Sequence, residues 1–332
     1  MVEVVIKIPA IEKLLDYTAS GVGGVAGPLL LPWRAYMEGK ADRISARSYA
    51  DVLPIITKAQ DDARRSLVAP DAEVHGAVEI THEHLKQVIE FQGLKRLANI
   101  ASVVESSAED LGEKEVIDHE PDHDWTARFF DCVQDVSSEH MQSLWAKVLS
   151  GEVESPGRTS LRTLETLRNM TKQDADLFEE LANCVIGSEF AFYYPDFVET
   201  LGAMKYKELL HLQDCGLINI GQSLGWTSIW ADRDELVLPY QNSALVITRG
   251  QNALEKLELP AVLLTAAGKE LYRIAQGEVQ MVYLQDFSTF LQFRGCQLSF
   301  VKDVNPLPDD SFKFGERIPI EPRPIQPGMP AL

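Results

Sequence analysis

Between residues 119 and 185 the chain alternates helix-start signals, short amphipathic runs and helix-stop signals, and this pattern restricts its fold more than any other feature. Asp124 can cap a helix over 125–134, which places Trp125, Phe129 and Val133 on one face. Ser137 or Ser138 can start the next helix, which runs to Ser150 with Met141, Leu144, Trp145, Val148 and Leu149 inward, and Gly151 is placed to stop it. A loop follows, then a helix over 161–170. Thr171 and Asp174 have the spacing of a capping box for a helix over 172–185. Short helices joined by tight connectors bury their stripes against one another, so 119–185 reads as a four-helix core.

The flanks differ on the two sides. Upstream, residues 81–110 form a long amphipathic helix with Leu85, Val88, Ile89, Leu94, Leu97, Ile100 and Val104 in a stripe, Thr81 as its cap and Gly93 weakening its middle. An acidic connector, 111–124, closes a segment 69–118 that opens with a linker over 69–80. Residues 1–68 carry an amphipathic start at 10–18, a glycine/proline stretch and a helix-rich run over 38–68 that Pro54 should kink or divide. Downstream, residues 186–277 show a helix at 203–214 ended by Gly216, a short strand LINI, a hairpin DELVLPY/SALVIT, a strand LPAVLLT and a helix over 265–276. That is the order of a winged-helix-like module. Residues 278–304 add strands, and 305–332 hold seven of the 17 prolines and read as an extended tail. The fold class is therefore α+β and mainly α: long helices and a four-helix core, then a winged-helix-like module and a few extra strands.

The formal net charge is −19. Residues 1–120, 121–180 and 181–332 are each net acidic, so no segment offers the basic island that phosphate neutralisation requires. Nucleic acid is therefore a disfavoured partner. The four cysteines, Cys132, Cys184, Cys215 and Cys296, have no CxxC spacing, and Cys132 and Cys184 fall in apolar patterns that read as buried thiols. The opening MVEVVIKIPA lacks the build of a secretion signal. A cytoplasmic location follows as the expectation, with peripheral membrane association open.

That opening comes from residues 17–33, none of which is charged. Seventeen positions approach the length of a membrane span, but Pro28 and Pro32 would break a regular helix. Trp33, Arg34 and Tyr36 follow, which is the chemistry of an interface anchor. Leu29, Leu30, Leu31, Trp33 and Tyr36 are the candidate contacts to a membrane or a partner chain. A buried packing segment or subunit contact is the competing reading.

The stretch EPDHDWTARFF…LWAKVLSGEVESPGRTSLRTLETLRNMTKQDADLF (120–178) resembles the bacterial domain of unknown function 2806 family, as do FQGLKRLANI (91–100) and TASGVGGVAGPLLLPWRA (18–35). The resemblance covers about residues 10–280. The layout, with LWAKVLSGE at 144–152, is more loosely similar to abortive-infection alpha-type proteins of phage defence. It implies a defence or stress-response role and transfers no catalytic residue.

Five constellations invite chemistry. In the loop 151–162, Gly157, Arg158, Thr159, Ser160 and Arg162 combine backbone and hydroxyl donors with two guanidinium groups, the ingredients of an anion or phosphate site. The alternative is a capped helix with Arg162 paired to Glu152 or Glu154. In DHEPDHD (118–124), His119, Asp122 and His123 are weak metal candidates, since a connector lacks the rigid frame a metal needs. His82 and His84 would point apart on a helix. Asp124, Trp125 and Arg128 read as a small buried polar network, with Arg128 paired to Asp124 or Asp131. The helix at 204–216 sets Lys205, Lys207 and His211 against Glu208 and Asp214, which suits structure or protein binding better than DNA reading.

No GxSxG, HExxH or GxxxxGK[ST] pattern occurs, and no catalytic residue and no cofactor are expected. The preferred reading is a non-enzymatic interaction or effector protein. Its helical body would hold the uncharged segment until a signal releases it toward a membrane, a protein partner or a second copy. A winged-helix regulator and a nucleotide sensor using the 151–162 loop are the alternatives.

Overall fold

The computed structural model describes residues 13–14, 17–18 and, with short gaps, 82–323. The expected cap Thr81, the run 38–68, the linker 69–80 and the contact residues Leu29, Leu30, Leu31, Trp33 and Tyr36 lie outside the described residues. The fold is α+β and divides into two compact units, Met1–Leu164 and Glu165–Leu332.

The first unit is helical. Helix α1 (His82–Leu111) packs along α3 (Glu139–Glu154) and touches α2 (His123–Val133). Ile100, Val103, Val104 and Leu111 of α1 are buried, and a ladder of polar bonds sets its register on α3. Ser102 Oγ donates to Gln142 Oε1 at 2.9 Å, Ser107 Oγ reaches the Ala146 carbonyl at 3.1 Å, and Ser150 Oγ donates to Asp110 Oδ2 at 2.5 Å. The long helix therefore belongs to the same core as α2 and α3. Trp125 stacks on Phe129 at 5.1 Å, and Phe129 meets Trp145 edge-on at 5.4 Å. Residues 13–14 and 17–18 are helical as well, with Leu14, Tyr17 and Thr18 buried.

The caps of these helices differ from expectation in two places. Asp122, two residues before the expected Asp124, accepts from the amides of Asp124 and Trp125. Helix α3 runs through Gly151 to Glu154, where a Cβ at position 151 would meet the Arg158 side chain at an ordinary contact distance of 3.6 Å. Helix α4 (Leu161–Asn169) lies where expected and spans the division between the units.

The second unit holds α5 (Lys172–Ala182), capped by the expected box. Thr171 Oγ1 accepts from the Asp174 amide, and Asp174 Oδ2 accepts from the Thr171 amide at 2.7 Å. Strands β1 (Val185–Ile186) and β2 (Phe190–Phe192), helix α6 (Tyr206–Asp214), and strands β3 (Ile218–Asn219) and β4 (Gly225–Ile229) follow. Then come the hairpin β5 (Glu235–Tyr240) and β6 (Ser243–Arg249), strand β7 (Lys256–Leu264) and helix α7 (Ala266–Tyr272). One antiparallel sheet runs β1-β2-β7-β3, with β4 also on β7. The expected helix, strand, hairpin, strand and helix occur in that order, with an unexpected strand, β4, between β3 and the hairpin. The hairpin, however, joins a second antiparallel sheet with Cys296–Val301 and Arg317–Pro319, and does not extend the sheet that holds β3 and β7.

The carboxy-terminal expectation is corrected. Residues 278–304 hold the expected strand as β8 (Cys296–Val301), but Met281–Phe293 before it is a helix, α8. Its apolar run VYLQDFSTFLQF has no strand alternation. It buries Tyr283, Leu284, Phe287, Phe290 and Leu291, and Phe287 and Phe290 pack on Phe192. The proline-rich end is not a loose tail over its described part. Strands β9 (Val304–Pro306) and β10 (Phe312–Phe314) pair, and β11 (Arg317–Pro319) pairs with β8. Ile320 is buried, and its carbonyl accepts from Ser288 Oγ at 2.6 Å.

Candidate functional site

Helix α3 ends in Glu152-Val153-Glu154, and the loop SPGRT returns the chain across that end. The return depends on Gly157, whose φ of +80° is left-handed and strains any residue with a Cβ. It aims successive amides at one carboxylate. Gly157 N–H donates to Glu152 Oε1 at 2.6 Å, and Thr159 N–H donates to Oε2 at 3.0 Å. Glu152 is only 3% exposed. Burial pushes its carboxyl above the usual range, against the lowering effect of the loop amides, and the Asp122 charge adds to the rise.

The loop is an anion nest whose occupant is the protein's own side chain. Gly157 and Thr159, singled out for an external phosphate, give their amides to Glu152. Arg158 pairs with Glu154 at 3.4 Å, and Lys114 meets the other oxygen of Glu154 at 2.8 Å. Arg158 thus holds Glu154, one of the two carboxylates expected for Arg162. Ser160 hydrogen-bonds Thr163, its hydroxyl accepting from the Thr163 amide at the start of α4. Arg162 is exposed on α4.

Two further parts seat on this nest. Trp125 Nε1–H donates to the Thr159 carbonyl at 2.8 Å. The expected buried network of Asp124, Trp125 and Arg128 is corrected accordingly: Trp125 is buried, whereas Asp124 and Arg128 are exposed. A capped first turn leaves positions 124 and 128 on the solvent face. Tyr17 is 2% exposed, sits edge-on to Trp125 at 6.1 Å, and its hydroxyl reaches the Glu152 carbonyl at 3.4 Å. Burial, then the charges of Glu152 and Asp122, push its phenol up to about 12. Thr18 Oγ1 bonds the Leu14 carbonyl at 2.8 Å, and Lys13 reaches the His119 carbonyl at 3.2 Å. The start of the uncharged stretch is therefore fastened beside the nest through Tyr17.

The weak metal candidates do not converge. Asp122 is a helix cap, His123 is exposed at the start of α2, and His119 contributes its backbone to Lys13.

A constellation the sequence reading did not assemble lies in the second unit. His211 and Cys215, four residues apart on and just after α6, face Asp174 of α5. His211 Nε2 lies 2.5 Å from Asp174 Oδ1 and 3.9 Å from Cys215 Sγ. Burial would raise Asp174, but its bonds to His211 and Thr171 hold it below the ordinary carboxylate range. Burial and the charges of Asp174 and Asp214 push the Cys215 thiol up. A catalytic Cys–His–Asp relay needs the acid on one ring nitrogen and the thiol on the other. Here both approach Nε2, so the arrangement is not a nucleophile relay. The i, i+4 spacing of HLQDC was visible in the sequence. Its partner at Asp174 was not, because it stands 37 residues earlier.

Among the described residues no helix is long and apolar enough to cross a membrane. No curated protein and no solved structure matches the chain. Residues 83–190, from α1 through the start of β2, match the family model described as Protein of unknown function (DUF2806), and the matched stretch includes Glu152, the loop that holds it and Asp174.

Proposed function

We propose that this chain is a non-catalytic interaction protein whose helical unit anchors residues 19–36, which carry no charge before Arg34, for contact with a lipid surface. The observation that supports this reading is the seating of Leu14, Tyr17 and Thr18 in the helical core, with Tyr17 on Trp125 and on the Glu152 carbonyl. A segment that starts from a buried, bonded tyrosine has a fixed point of departure. Its own composition, apolar and proline-broken with Trp33, Arg34 and Tyr36 at its end, suits the interfacial zone of a bilayer. The nest at 151–160 does not favour a nucleotide sensor, because its amides already hold a carboxylate. The acidic charge and the pairing of His211 with Asp174 do not favour a DNA-reading α6. A defence or stress role in bacteria is the setting suggested by the loose likeness to abortive-infection proteins.

The test is co-sedimentation of the full chain with uncharged phosphatidylcholine vesicles. The expected result is association that disappears when Leu29, Leu30, Leu31 and Trp33 are replaced by Ser. A chain that never pellets with vesicles overturns the lipid reading. Vesicle-independent self-association, lost in the same variant, would assign the segment to a protein contact.

A further inference from the structure

We propose that Asp174, His211 and Cys215 form a zinc site that joins α5 to α6, with one coordination position left to water. The ligand atoms, Asp174 Oδ1, His211 Nε2 and Cys215 Sγ, all lie within 4.8 Å of one another. An imidazole, a thiolate and a carboxylate are the donors of Zn²⁺, and three protein ligands with an open fourth position are a recurrent zinc arrangement. Zinc bond lengths put neighbouring ligands of a tetrahedral shell about 3.4–3.6 Å apart. The 3.9 Å between Nε2 and Sγ is already close to that spacing. The 2.5 Å between Nε2 and Oδ1 is a hydrogen bond that must open by under about 1 Å, which a turn of the half-exposed His211 ring supplies.

The frame is built as a metal site requires. Asp174 is fixed by its outer oxygen, since Oδ2 accepts from both the amide and the hydroxyl of Thr171 at 2.7 and 2.9 Å. That leaves Oδ1 directed at His211 and orients the ligand from behind. His211 and Cys215 are held one turn apart by helix geometry, and the Cys215 amide bonds the His211 carbonyl at 3.0 Å. Cys215 is a free thiol. Binding replaces the Sγ–H bond by a Zn–S bond and releases that proton to solvent. The Nε2–H···Oδ1 hydrogen bond between His211 and Asp174 gives way to a Zn–N and a Zn–O bond, the Nε2 proton leaving to solvent while Nδ1 carries the one proton of the neutral ring. The site stands independently of the lipid reading, because it uses neither the first unit nor residues 19–36.

The experiment is an anaerobic titration of the reduced, metal-stripped full chain with Co²⁺, read by absorbance, followed by Zn²⁺ competition. The expected result is one equivalent bound with a sulfur-to-cobalt charge-transfer band and the visible bands of tetrahedral Co²⁺, both erased by Zn²⁺. Cys215→Ser should abolish the charge-transfer band, and His211→Asn should weaken binding by more than about tenfold. Both positions are partly exposed, and circular dichroism checks that the variants fold. A wild-type chain without the charge-transfer band overturns the site. So does a band that survives in Cys215→Ser, since it would come from another cysteine.

Discussion

Trp125 and Thr159 are joined by a 2.8 Å bond from the indole Nε1–H to the threonine carbonyl, while the amide of the same Thr159 donates to Glu152 at 3.0 Å. The residue is held from both sides, and α2 is thereby tied to the loop that leaves α3.

This bond separates two tryptophans of one core. Trp145 is fully buried, but its Nε1–H has no hydrogen-bond partner among the described residues. Trp125→Phe keeps the stacking on Phe129 and strands the Thr159 carbonyl, which should cost about 1–3 kcal/mol. Trp145→Phe removes an orphan donor and leaves a small void. These effects oppose each other and should leave stability within about 1 kcal/mol of wild type. Urea denaturation of both variants checks the order. A larger loss at Trp145 would contradict it.

The Glu152 carboxyl titrates above its ordinary value of 4.5 in the folded protein, because burial outweighs the amides that hold it. A raised acid stabilises the fold fully below the unfolded value and loses that contribution as pH rises through the folded one. The penalty of Glu152→Gln should therefore be largest in mildly acidic buffer and shrink toward neutrality. Melting temperatures of wild type and variant across that range measure it. A penalty that grows with pH would show that the amides win.

Gly268 lies in the first turn of α7, where a Cβ would stand 2.1 Å from the Leu217 carbonyl oxygen. That oxygen also accepts from the amide and the hydroxyl of Thr265 at 3.0 and 3.1 Å, so it cannot retreat without breaking the helix cap. Gly268→Ala should destabilise the chain by about 1–3 kcal/mol, although alanine is the better helix former. Thermal unfolding should show a lower melting temperature, and a neutral result would mean that α7 moves freely.

Arg317 of β11 grips Glu235 of β5 through two bonds at 2.5 and 2.9 Å, yet these strands are the opposite edges of one sheet. Four flat strands at their usual spacing would hold these positions on the order of 20 Å apart, so the sheet is strongly coiled. Arg317 holds the Glu235 carboxyl below the usual range, so the pair's contribution is present above pH 4.5 and lost as pH falls through the lowered value. Both side chains are partly exposed, and a double-mutant cycle with Glu235→Gln and Arg317→Met should return under about 1 kcal/mol, decreasing with salt. A coupling that salt leaves unchanged would contradict the surface assignment.

The local sequence alone determined the helices of 123–182, the Thr171–Asp174 box, the β5–β6 hairpin and the burial of Cys132 and Cys184. These depend on periodicity and on contacts a few residues apart, which a linear reading contains. Long-range contacts decided the rest. Helix α1 joined the core through Ser102, Ser107 and Asp110, and α8 precedes the expected strand because Phe192 offers Phe287 and Phe290 a place to bury. The amides of Gly157 and Thr159 are donors, but the occupant of their nest is a glutamate that only the folded loop brings back to them. Asp174, His211 and Cys215 meet for the same reason: side-chain chemistry is written in the chain, whereas convergence in space is set by which apolar faces exclude water together.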